Sequence, residues 1–581
     1  MFLSLVFAAL TFTKGFFVRT QKPLNNNFKE EIMDLQKVQQ LFPSEDGDHG
    51  QQLRLLGYIE QLIAGIDSKK DPNKATLGPM QEKSDDFYKE IVETAATPAA
   101  GIDMEEIVEK LVELSNGHPY HTRNFVTNVL PMASIPGIIG LLTTSILNGN
   151  NLWDVYGPAA AEAEVKVISM MSKLVGYDYK KSWGYTTWGG QGAVFSGLRL
   201  AVAKQFPNAK EEGIPNNLYC FASENAHYSL LKSVEATGIG SNHLIRVKAG
   251  NDFSMDMTDF RNKLEDVIQK GGIPVYVVAT TGTTDSFGID DVKQIKEITA
   301  EIEKKHQLKP IHIHADSALG GFYSLFSSYD FEQNPLQFEK EVLEGLVQIN
   351  ERMQYISLAD SLCFDFQKLG QTPYLTSLFL VKNGEDFGLL DLEEFETPYV
   401  GNRGYGSYHT GYTLECSRMG SAIAIYAALL AFGVEGYQQI LANYVRVNME
   451  FRKKLTERIP NMGITNYQNI GPITTFRLYQ DTVQWDLEQN GQATTEQIIH
   501  TNELNNELFE ILGQQREDVF FGDTKKQCLV YVSDSKERQP IYVAKLFTIS
   551  PYTEVEHIDH FINAIEKSIK RMEGLKVEVS L

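Results

Sequence analysis

The central part of this 581-residue chain alternates short β-rich runs with amphipathic helices, and this alternation limits the folds open to it. The clearest unit has VYVVA at 275–279, a helix over about 290–305 with apolar residues along one face, and IHIHA at 311–315. A strand, a helix and a second strand at this spacing form a βαβ unit with parallel strands. We therefore expect an α/β fold with a mostly parallel open sheet, whose active site lies at the carboxyl ends of the strands.

The regions on either side of this large α/β domain, 118–434, have other patterns. Residues 33–117 carry apolar residues at three- and four-residue spacing, which predicts an N-terminal helical segment. Residues 435–581 combine long helical patterns at both ends with short β-rich runs, which predicts a small α+β C-terminal domain. Residues 1–32 are expected to be an extension outside the packed body, because their apolar run is shorter than the roughly 20 residues that cross a bilayer. The strand candidates of the C-terminal domain are 473–477, 528–532 and 544–549.

Charge and cysteine content exclude some classes of protein. The formal net charge of −22 repels phosphate backbones and anionic lipid, so nucleic-acid and membrane partners are not expected. The four cysteines form no Cys-x-x-Cys pair, which argues against a disulfide framework or a zinc ribbon. A reducing, cytoplasmic location is consistent with this usage.

A glycine-rich turn and a buried lysine are the two features with the clearest chemistry. Gly189, Gly190 and Gly192 stand between a β-rich run and a helix, where free backbone N–H groups and the helix dipole favour a phosphate. Asp316 ends a buried strand, and a carboxylate there is costly unless it faces a cation. Lys368 lies in an apolar segment, where desolvation is expected to lower its pKa and favour Schiff-base chemistry.

Two further segments are ambiguous when taken alone. His227 lies between a predicted strand and a helix, where a histidine is often a cap or a surface residue. Thr281, Thr283 and Thr284 follow the strand at 275–279, and they either line a polar site or satisfy their own turn.

Taken in order, these segments resemble the group II pyridoxal-phosphate-dependent decarboxylases, which include glutamate, aromatic amino-acid and bacterial tyrosine decarboxylases. The resemblance runs from about His118 to the C-terminus and includes NGNN at 148–151, HADSALGG at 314–321 and the segment 410–437. It implies the type I, aspartate-aminotransferase-like fold of pyridoxal-phosphate enzymes and a homodimer. It also implies that the protein decarboxylates a small L-amino acid to the amine and CO₂, with pyridoxal 5′-phosphate as cofactor.

The resemblance also assigns the cofactor residues. Lys368 falls on the lysine that forms the Schiff base, and Asp316 on the carboxylate that pairs with the pyridine nitrogen. His227, which also counts among the catalytic residues, stacks on one face of the ring. The other cofactor contacts it implies are Ala318 on the opposite ring face, Gly190 and Gln191 in the phosphate turn, and Thr284 as a hydroxyl contact.

The family's proton donor is usually a tyrosine on a loop after the lysine. Tyr405, Tyr408 and Tyr412 all occur in GYGSYHTGYT, and we select Tyr408 as the acid that protonates the carbanion. Tyr374 is expected in the substrate pocket.

Four positions depart from the family pattern. Gln367 replaces the usual histidine before the lysine, Gln191 replaces a Ser or Thr of the phosphate turn, and Val194 replaces a polar residue. Lys545 stands where several members carry the arginine that binds the substrate carboxylate, and lysine offers charge without a bidentate fork. Lys545 is nevertheless the expected carboxylate anchor, with Arg418 as the next candidate.

Two alternative functions remain open from the sequence. His312 and His314 alternate on one strand, so both imidazoles face the same side together with Asp316, as in metal-dependent hydrolases. HPYH at 118–121 offers additional ligands for such a metal site. The second alternative is a cofactor-binding protein without decarboxylase activity, suggested by Gln367 and Lys545.

Overall fold

The fold is described from a computed structural model, which describes residues 34–80, 83–392, 394–396, 408–480 and 484–579. The predicted extension at 1–32 therefore lies outside the described residues. The α-helices are α1 (Leu35–Gln39), α2 (His49–Asp67), α3 (Phe87–Thr94), α4 (Met104–Leu114), α5 (Ile135–Leu147), α6 (Pro158–Val175), α7 (Gly190–Gln205), α8 (Ala209–Glu212), α9 (Ser229–Ala236), α10 (Met257–Gln269), α11 (Val292–His306), α12 (Lys340–Met353), α13 (Ala422–Arg458), α14 (Trp485–Gln489), α15 (Thr495–Gln514) and α16 (Ile558–Val579). The strands are β1 (Phe125–Val126), β2 (Trp183–Thr187), β3 (Leu218–Ser223), β4 (Leu244–Val247), β5 (Ile273–Thr280), β6 (His312–Asp316), β7 (Ser361–Asp365), β8 (Ser377–Val381), β9 (Met462–Ile464), β10 (Ile473–Leu478), β11 (Phe520–Thr524), β12 (Leu529–Val530), β13 (Gln539–Pro540) and β14 (Val543–Phe547).

The described residues form two compact units, and the smaller one consists of 34–68 and 83–115. It is helical, as its three- and four-residue apolar spacing predicts. The side chain of Asp48 accepts hydrogen bonds from the first N–H groups of α2, so this helix begins at a capped turn. Gly65 on α2 contacts Val112 so closely that a Cβ there would lie 2.5 Å from the valine side chain, which fixes how α2 packs against α4.

The larger unit contains a seven-stranded sheet with the order β2-β8-β7-β6-β5-β3-β4. The pairs from β7 to β4 are parallel, and β8 pairs antiparallel with both β2 and β7. The predicted βαβ unit is present as β5, α11 and β6. Its helix buries Val292, Ile295, Ile298 and Ile302, the face that the apolar spacing indicated. The mostly parallel α/β sheet predicted from the sequence is therefore confirmed.

A second sheet of five strands, in the order β1-β11-β14-β10-β9, lies in the same unit. The pairs of this second sheet are antiparallel except for β1 with β11. Its edge strand β1 precedes all strands of the large sheet in the chain. The three strand candidates of the C-terminal region correspond to β10, β12 and β14. An α+β arrangement of these late elements follows, since α15 and α16 pack with β10, β11 and β14 around one apolar core.

The longest helix, α13, connects the part of the chain that forms the large sheet to the part that forms the five-stranded sheet. It is interrupted at Gly433, whose φ of +58° is readily adopted only by glycine. The predicted domain boundary at 434–435 lies beside this break. Among the helices of the described ranges, neither α13 nor any other is long and apolar enough to cross a membrane.

Candidate active site

Lys368 lies in the turn after β7, three residues beyond the last residue of that strand. Its Nζ is 3.1 Å from Oδ2 of Asp365, and both side chains are mostly buried. Burial alone lowers the pKa of Lys368, but the carboxylates of Asp365 and Asp316 outweigh burial, and the pKa is raised. The expectation of a lowered pKa is therefore wrong for the protein without its cofactor, because two carboxylates accompany the lysine into the apolar surroundings.

Asp316 is the last residue of β6 and lies on the neighbouring strand to β7. Its Oδ1 accepts hydrogen bonds from the Ala318 N–H at 3.3 Å and the Cys363 thiol at 3.2 Å. Burial raises the pKa of Cys363, and the nearby carboxylates of Asp316 and Asp365 raise it further. The thiol therefore stays protonated and donates to Asp316. Within the described part of the chain, no nitrogen of a lysine, arginine or histidine lies within 4.0 Å of this carboxylate. A buried carboxylate without a close cation favours a cationic ligand.

The glycine turn before α7 approaches these strand ends closely. Gly189 has φ +109°, and α7 begins at the next residue. A Cβ built on Gly190 would lie 3.1 Å from Asp365 and 3.3 Å from the Cβ of Ala318. Among the described residues, the N–H groups of Gly190 and Gln191 have no acceptor, as expected for the first turn of a helix. The side chain of Gln191 donates to Ser233 on α9 at 3.0 Å, so only its backbone is directed to this turn.

His227 follows β3 and lies at the same edge of the sheet. Its Nδ1 accepts from the Ser229 N–H at 3.2 Å, and its ring centroid is 4.2 Å from that of Tyr228. Burial lowers the pKa of His227, while the charge of Asp316 raises it and that of Lys368 lowers it further. Both charges are thus close enough to affect the imidazole. We call Gly190, His227, Asp316, Asp365 and Lys368, with Ala318, the strand-end site.

Thr284 lies in the loop after β5, and its neighbour Asp285 connects this loop to the five-stranded sheet. The Nζ of Lys545, on β14, is 2.9 Å from Oδ1 of Asp285, and the lysine side chain is buried. The expected carboxylate anchor therefore already has a carboxylate partner within the protein.

The two described loop tyrosines are packed against other parts of the protein. Tyr408 donates to Glu164, which is also 2.6 Å from Arg418 in a fully buried ion pair. Burial and the Glu164 charge raise the pKa of Tyr408 far above its ordinary value. Tyr412 is buried and stacks on Phe387 with ring centroids 4.5 Å apart. The proton-donor role of Tyr408 stays a prediction, and Tyr405 lies outside the described residues.

Arg418, the second candidate anchor, is held by neighbouring acceptors. Its Nη2 donates to Glu164 at 2.6 Å and to the Thr186 carbonyl at 3.0 Å. Its Nη1 donates to the Asn151 carbonyl at 3.1 Å. Nη2 therefore connects β2 to α6, and Nη1 binds the segment between α5 and α6.

Tyr374, the predicted substrate-pocket residue, lies close to the lysine. Its hydroxyl donates to the Val129 carbonyl at 3.2 Å, and about half of the side chain is exposed. Burial raises its pKa, while Lys368 lowers it and Asp365 raises it, so the phenol lies within range of that ion pair.

Sequence reasoning underestimated three residues of the segment before Lys368. Cys363 donates to Asp316, Asp365 pairs with Lys368, and the Gln367 side chain accepts from the Thr376 N–H at 2.6 Å. Cys363 and Asp365 alternate on β7 and share one face, and Gln367 follows two residues later in the turn. The alternation of Cys, Asp and Gln in front of the lysine was the available signal.

His312 and His314 do face the same side of β6, but they converge on a hydroxyl group. His312 Nε2 and His314 Nδ1 each lie 2.8 Å from Ser361 Oγ. Among the described residues, no group of three or more His, Cys, Asp or Glu side chains is arranged to hold a metal ion. The histidines therefore belong to the core beneath the site, and the metal-hydrolase alternative has no support.

The strand-end site matches the chemistry of pyridoxal phosphate. The buried carboxylate of Asp316 lacks a close cation, which a protonated pyridine nitrogen would supply, and the free N–H groups of the α7 turn suit a phosphate. Lys368 carries a primary amine, the group that forms a Schiff base with an aldehyde such as that of pyridoxal phosphate. The sheet and this site together define a pyridoxal-phosphate enzyme of type I fold.

Comparison with known proteins identifies the family. Residues 97–479 match the model described as the pyridoxal-dependent decarboxylase conserved domain, which spans more than half of the chain. The chain therefore belongs to the pyridoxal-dependent decarboxylases, carboxy-lyases that remove the carboxyl group of an amino acid with this cofactor. The alternative of a cofactor-binding protein without decarboxylase activity has no support from these comparisons.

Individual relatives agree with this assignment. L-2,4-diaminobutyrate decarboxylase of Acinetobacter baumannii is 24% identical over 376 residues, covering 60% of this chain and 67% of that protein. Aspartate 1-decarboxylase of Aliivibrio fischeri is 23% identical over 536 residues, covering 84% and 90%. Among solved structures, Oryza sativa TDC with PLP and tryptamine has a TM-score of 0.70 at 16% identity, covering 91% of this chain and 99% of that one. Mouse CSAD has a TM-score of 0.69 at 17% identity, covering 89% and 99%.

The buried histidines of β6 predict a pH-dependent stability. Burial lowers the pKa of His312 to about 4 and of His314 to about 3, whereas both titrate near 6.5 when unfolded. The unfolded chain therefore binds more protons below pH 6.5, so this stability is complete above 6.5 and is lost as the pH falls towards 4. His314→Asn should reduce the slope of unfolding free energy against pH by about 1.4 kcal/mol per pH unit in this window.

Denaturant unfolding of the variant and the parent across this range measures the slope. His500→Asn, at an exposed position on α15, is the matched control and should keep the parental slope. An unchanged slope in His314→Asn would show that this histidine is protonated equally in both states.

Proposed function

We propose that the strand-end site holds pyridoxal 5′-phosphate and decarboxylates a small L-amino acid with a short, charged side chain. The observation that carries the proposal is the convergence of Lys368, Asp316 and the first turn of α7 at one edge of the sheet. When bound, the cofactor supplies an electron sink for the electrons left behind as CO₂ departs. The side chains and backbone of the strand-end site bind the cofactor and orient it.

Each of these side chains has a role that follows from its surroundings. Lys368 attaches the cofactor covalently, and Asp316 favours a proton on the pyridine nitrogen because the two charges attract in a partly desolvated site. His227 and Ala318 fix the plane of the ring from its two faces. The backbone N–H groups of Gly190 and Gln191 bind the phosphate, and Thr284 adds a hydroxyl group. The orientation of the substrate carboxylate relative to that plane selects decarboxylation.

The names of two relatives support a short, charged side chain in the substrate. These relatives are described as decarboxylases of 2,4-diaminobutyrate and aspartate, which both have short side chains with a charged end.

Lys368→Ala should abolish both covalent cofactor attachment and CO₂ release. The parent, supplied with pyridoxal phosphate and a panel of L-amino acids, should release CO₂ from a member with a short charged side chain. Borohydride reduction followed by peptide mass spectrometry locates the attachment site. Lys340→Ala, which changes an exposed lysine of α12, is the control and should behave as the parent. Covalent cofactor at another lysine of the Lys368→Ala protein would contradict the assignment.

The contact between Lys545 and Asp285 suggests that Lys545 acts on the site by positioning the Thr284 loop. The lysine is buried and its nitrogen already pairs with Asp285, so its charge is balanced before any substrate arrives. The Asn469 amide also donates to the Ser286 carbonyl of the same loop at 2.9 Å, so a second hydrogen bond joins this loop to the C-terminal part of the chain. A positioning role differs from the anchor role expected from the sequence, and the two roles predict different activities for a variant that also lacks the Asp285 carboxylate.

Lys545→Met should lower kcat/KM by roughly tenfold, because Asp285 loses its partner and the loop loses its position. Adding Asp285→Asn should recover most of this loss, since the double variant no longer leaves an unpaired carboxylate. Steady-state kinetics on the best substrate of the panel measures both. If the double variant stays as impaired as Lys545→Met, the lysine binds the substrate carboxylate directly.

We propose that the protein is a homodimer that covers the outer face of α5. One side of this helix packs so tightly against α13 that a Cβ on Gly140 would lie 2.5 Å from Ala424. The opposite side exposes large apolar side chains that are too numerous for an ordinary surface helix. The exposed residues are Ile135, Ile138, Ile139, Leu142, Ile146 and Leu147.

Sedimentation velocity should show a dimer for the parent and a monomer for Ile139→Glu/Ile146→Glu, because two carboxylates cannot be desolvated in an apolar interface. Ile499→Glu, at an exposed apolar position of α15, is the control and should remain dimeric. A dimer that persists in the double variant would place the interface elsewhere.

The cysteines support a reducing, cytoplasmic location. All four are free thiols, and Cys416 is exposed. An exposed thiol persists where glutathione keeps cysteines reduced.

A further inference from the structure

The carboxylate of Asp316 is held through one of its two oxygens. Oδ1 accepts from the Ala318 N–H at 3.3 Å and from the Cys363 thiol at 3.2 Å. Within the described part of the chain, no residue donates a hydrogen bond to Oδ2. The side chain is therefore fixed at one oxygen, and the other oxygen can accept a hydrogen bond from a ligand.

The two donors to Oδ1 come from different parts of the chain. Ala318 lies two residues beyond Asp316, so its N–H closes a local turn of the kind that aspartate side chains commonly form. Cys363 lies on the neighbouring strand β7, where it is the register partner of Asp316, and it is fully buried. The thiol is thus the contact that fixes the carboxylate relative to β7, the strand that leads to Lys368.

The chemistry of the thiol suits this position. A thiol is a weak, neutral donor, whereas a lysine or arginine in its place would form a strong charge-assisted hydrogen bond and offset the negative charge of Asp316. Because burial raises the pKa of Cys363, the thiol keeps its proton and adds no second negative charge. Cys363 therefore restrains the direction of the carboxylate and leaves its charge available to a cationic ligand.

We propose that Cys363 is a positioning residue for the cofactor, which orients Asp316 so that Oδ2 accepts the hydrogen bond of the pyridine nitrogen. This inference rests on the placement of pyridoxal phosphate in the strand-end site. In this role Cys363 acts through Asp316. Its effect should therefore be confined to ligands that have a ring nitrogen, and it should disappear when Asp316 is changed.

The experiment measures how much the ring nitrogen contributes to binding. The full-length chain, freed of cofactor, is titrated with pyridoxal 5′-phosphate and with its 1-deaza analogue, in which a carbon replaces the ring nitrogen. Isothermal titration calorimetry gives both dissociation constants. We call the dissociation constant of the analogue divided by that of pyridoxal phosphate the nitrogen ratio. The parent should bind pyridoxal phosphate more tightly, because only this ligand can pair with Asp316.

Changes at position 363 should alter this ratio in a defined order. Cys363→Ala should lower it by about three- to tenfold, the effect of one hydrogen bond. Cys363→Val fills the space of the thiol without a donor and should lower it equally, which covers the case in which the alanine variant does not fold. Cys363→Ser keeps a donor and should recover most of the parental ratio. Cys220→Ala, which removes a buried thiol from β3 of the same sheet, is the control and should keep the parental ratio.

A double-mutant cycle tests whether Cys363 acts through Asp316. Asp316→Asn should lower the nitrogen ratio more than any of the changes at position 363, because a neutral amide cannot hold the proton of the ring nitrogen. In the Asp316→Asn background, Cys363→Ala should cause no further change in the ratio, since the charge that the thiol orients is gone.

The results that would overturn the proposal are distinct from those that would overturn the cofactor site. A parent that binds both ligands equally, or a parental ratio in Cys363→Ala and Cys363→Val, contradicts the role of Cys363. An equal loss of affinity for both ligands marks a purely structural role. A serine variant as low as the alanine variant, or a full effect of Cys363→Ala in the Asp316→Asn background, contradicts it as well. If borohydride reduction of the parent attaches neither ligand at Lys368, the placement of the cofactor is wrong instead.

Discussion

The position of the site depends on the parallel register of β6 between β5 and β7. Asp316 is paired with Thr280 on one side and Cys363 on the other, so its carboxylate emerges where all three strands end. A slip of one residue would turn Asp316 to the opposite face of the sheet. Every residue of β6 is buried, so such a slip would also bury the wrong side chains. The core that fixes the register therefore also fixes the charge on which the site is built.

Charge balance around the site follows from that register. Asp365 has Lys368 as its cation and Asp285 has Lys545. Asp316 has neutral donors only, since within the described part of the chain no cationic nitrogen lies within 4.0 Å of it. Of these three carboxylates, the one left without a close cation is the one assigned to the pyridine nitrogen. In the proposed site, a cofactor that brings its own cation would complete this balance and offset the cost of burying an aspartate at a strand end.

The sequence predicted the features that depend on local pattern. The βαβ unit and the mostly parallel sheet follow from the residue pattern, because α11 buries one apolar face and β5 and β6 are short β-rich runs buried on both faces. Asp316 and Lys368 were expected near strand ends, and they lie at the end of β6 and in the turn after β7. The family match supports the cofactor and the reaction. The roles of individual residues rest on single positions of the family pattern. For these residues the structure adds the hydrogen bonds and ion pairs that the sequence does not show.

Contacts between residues that are far apart in the chain could not be predicted from the sequence. Glu164 and Arg418 are far apart in the chain, and their buried ion pair gives Tyr408 an acceptor that the loop sequence does not indicate. The Asp285 partner of Lys545 likewise comes from a distant part of the chain, the loop after β5. The pKa of Lys368 was misjudged for the same reason, because burial was visible in the apolar segment and the two nearby carboxylates were treated as separate features.

The C-terminal part of the chain also stabilises the loops of the site. Arg538 forms a two-armed ion pair with Glu224, with N–O distances of 2.8 and 2.6 Å, and Glu224 lies three residues before His227. Lys545 pairs with Asp285, next to Thr284. Two loops that carry predicted cofactor contacts are thus each held by a cation from the same late segment. A planar guanidinium that binds both carboxylate oxygens restrains orientation as well as distance. The loop of His227 is held by this bidentate pair, and the loop of Thr284 is held by Lys545 and by the Asn469 amide, which donates to the Ser286 carbonyl.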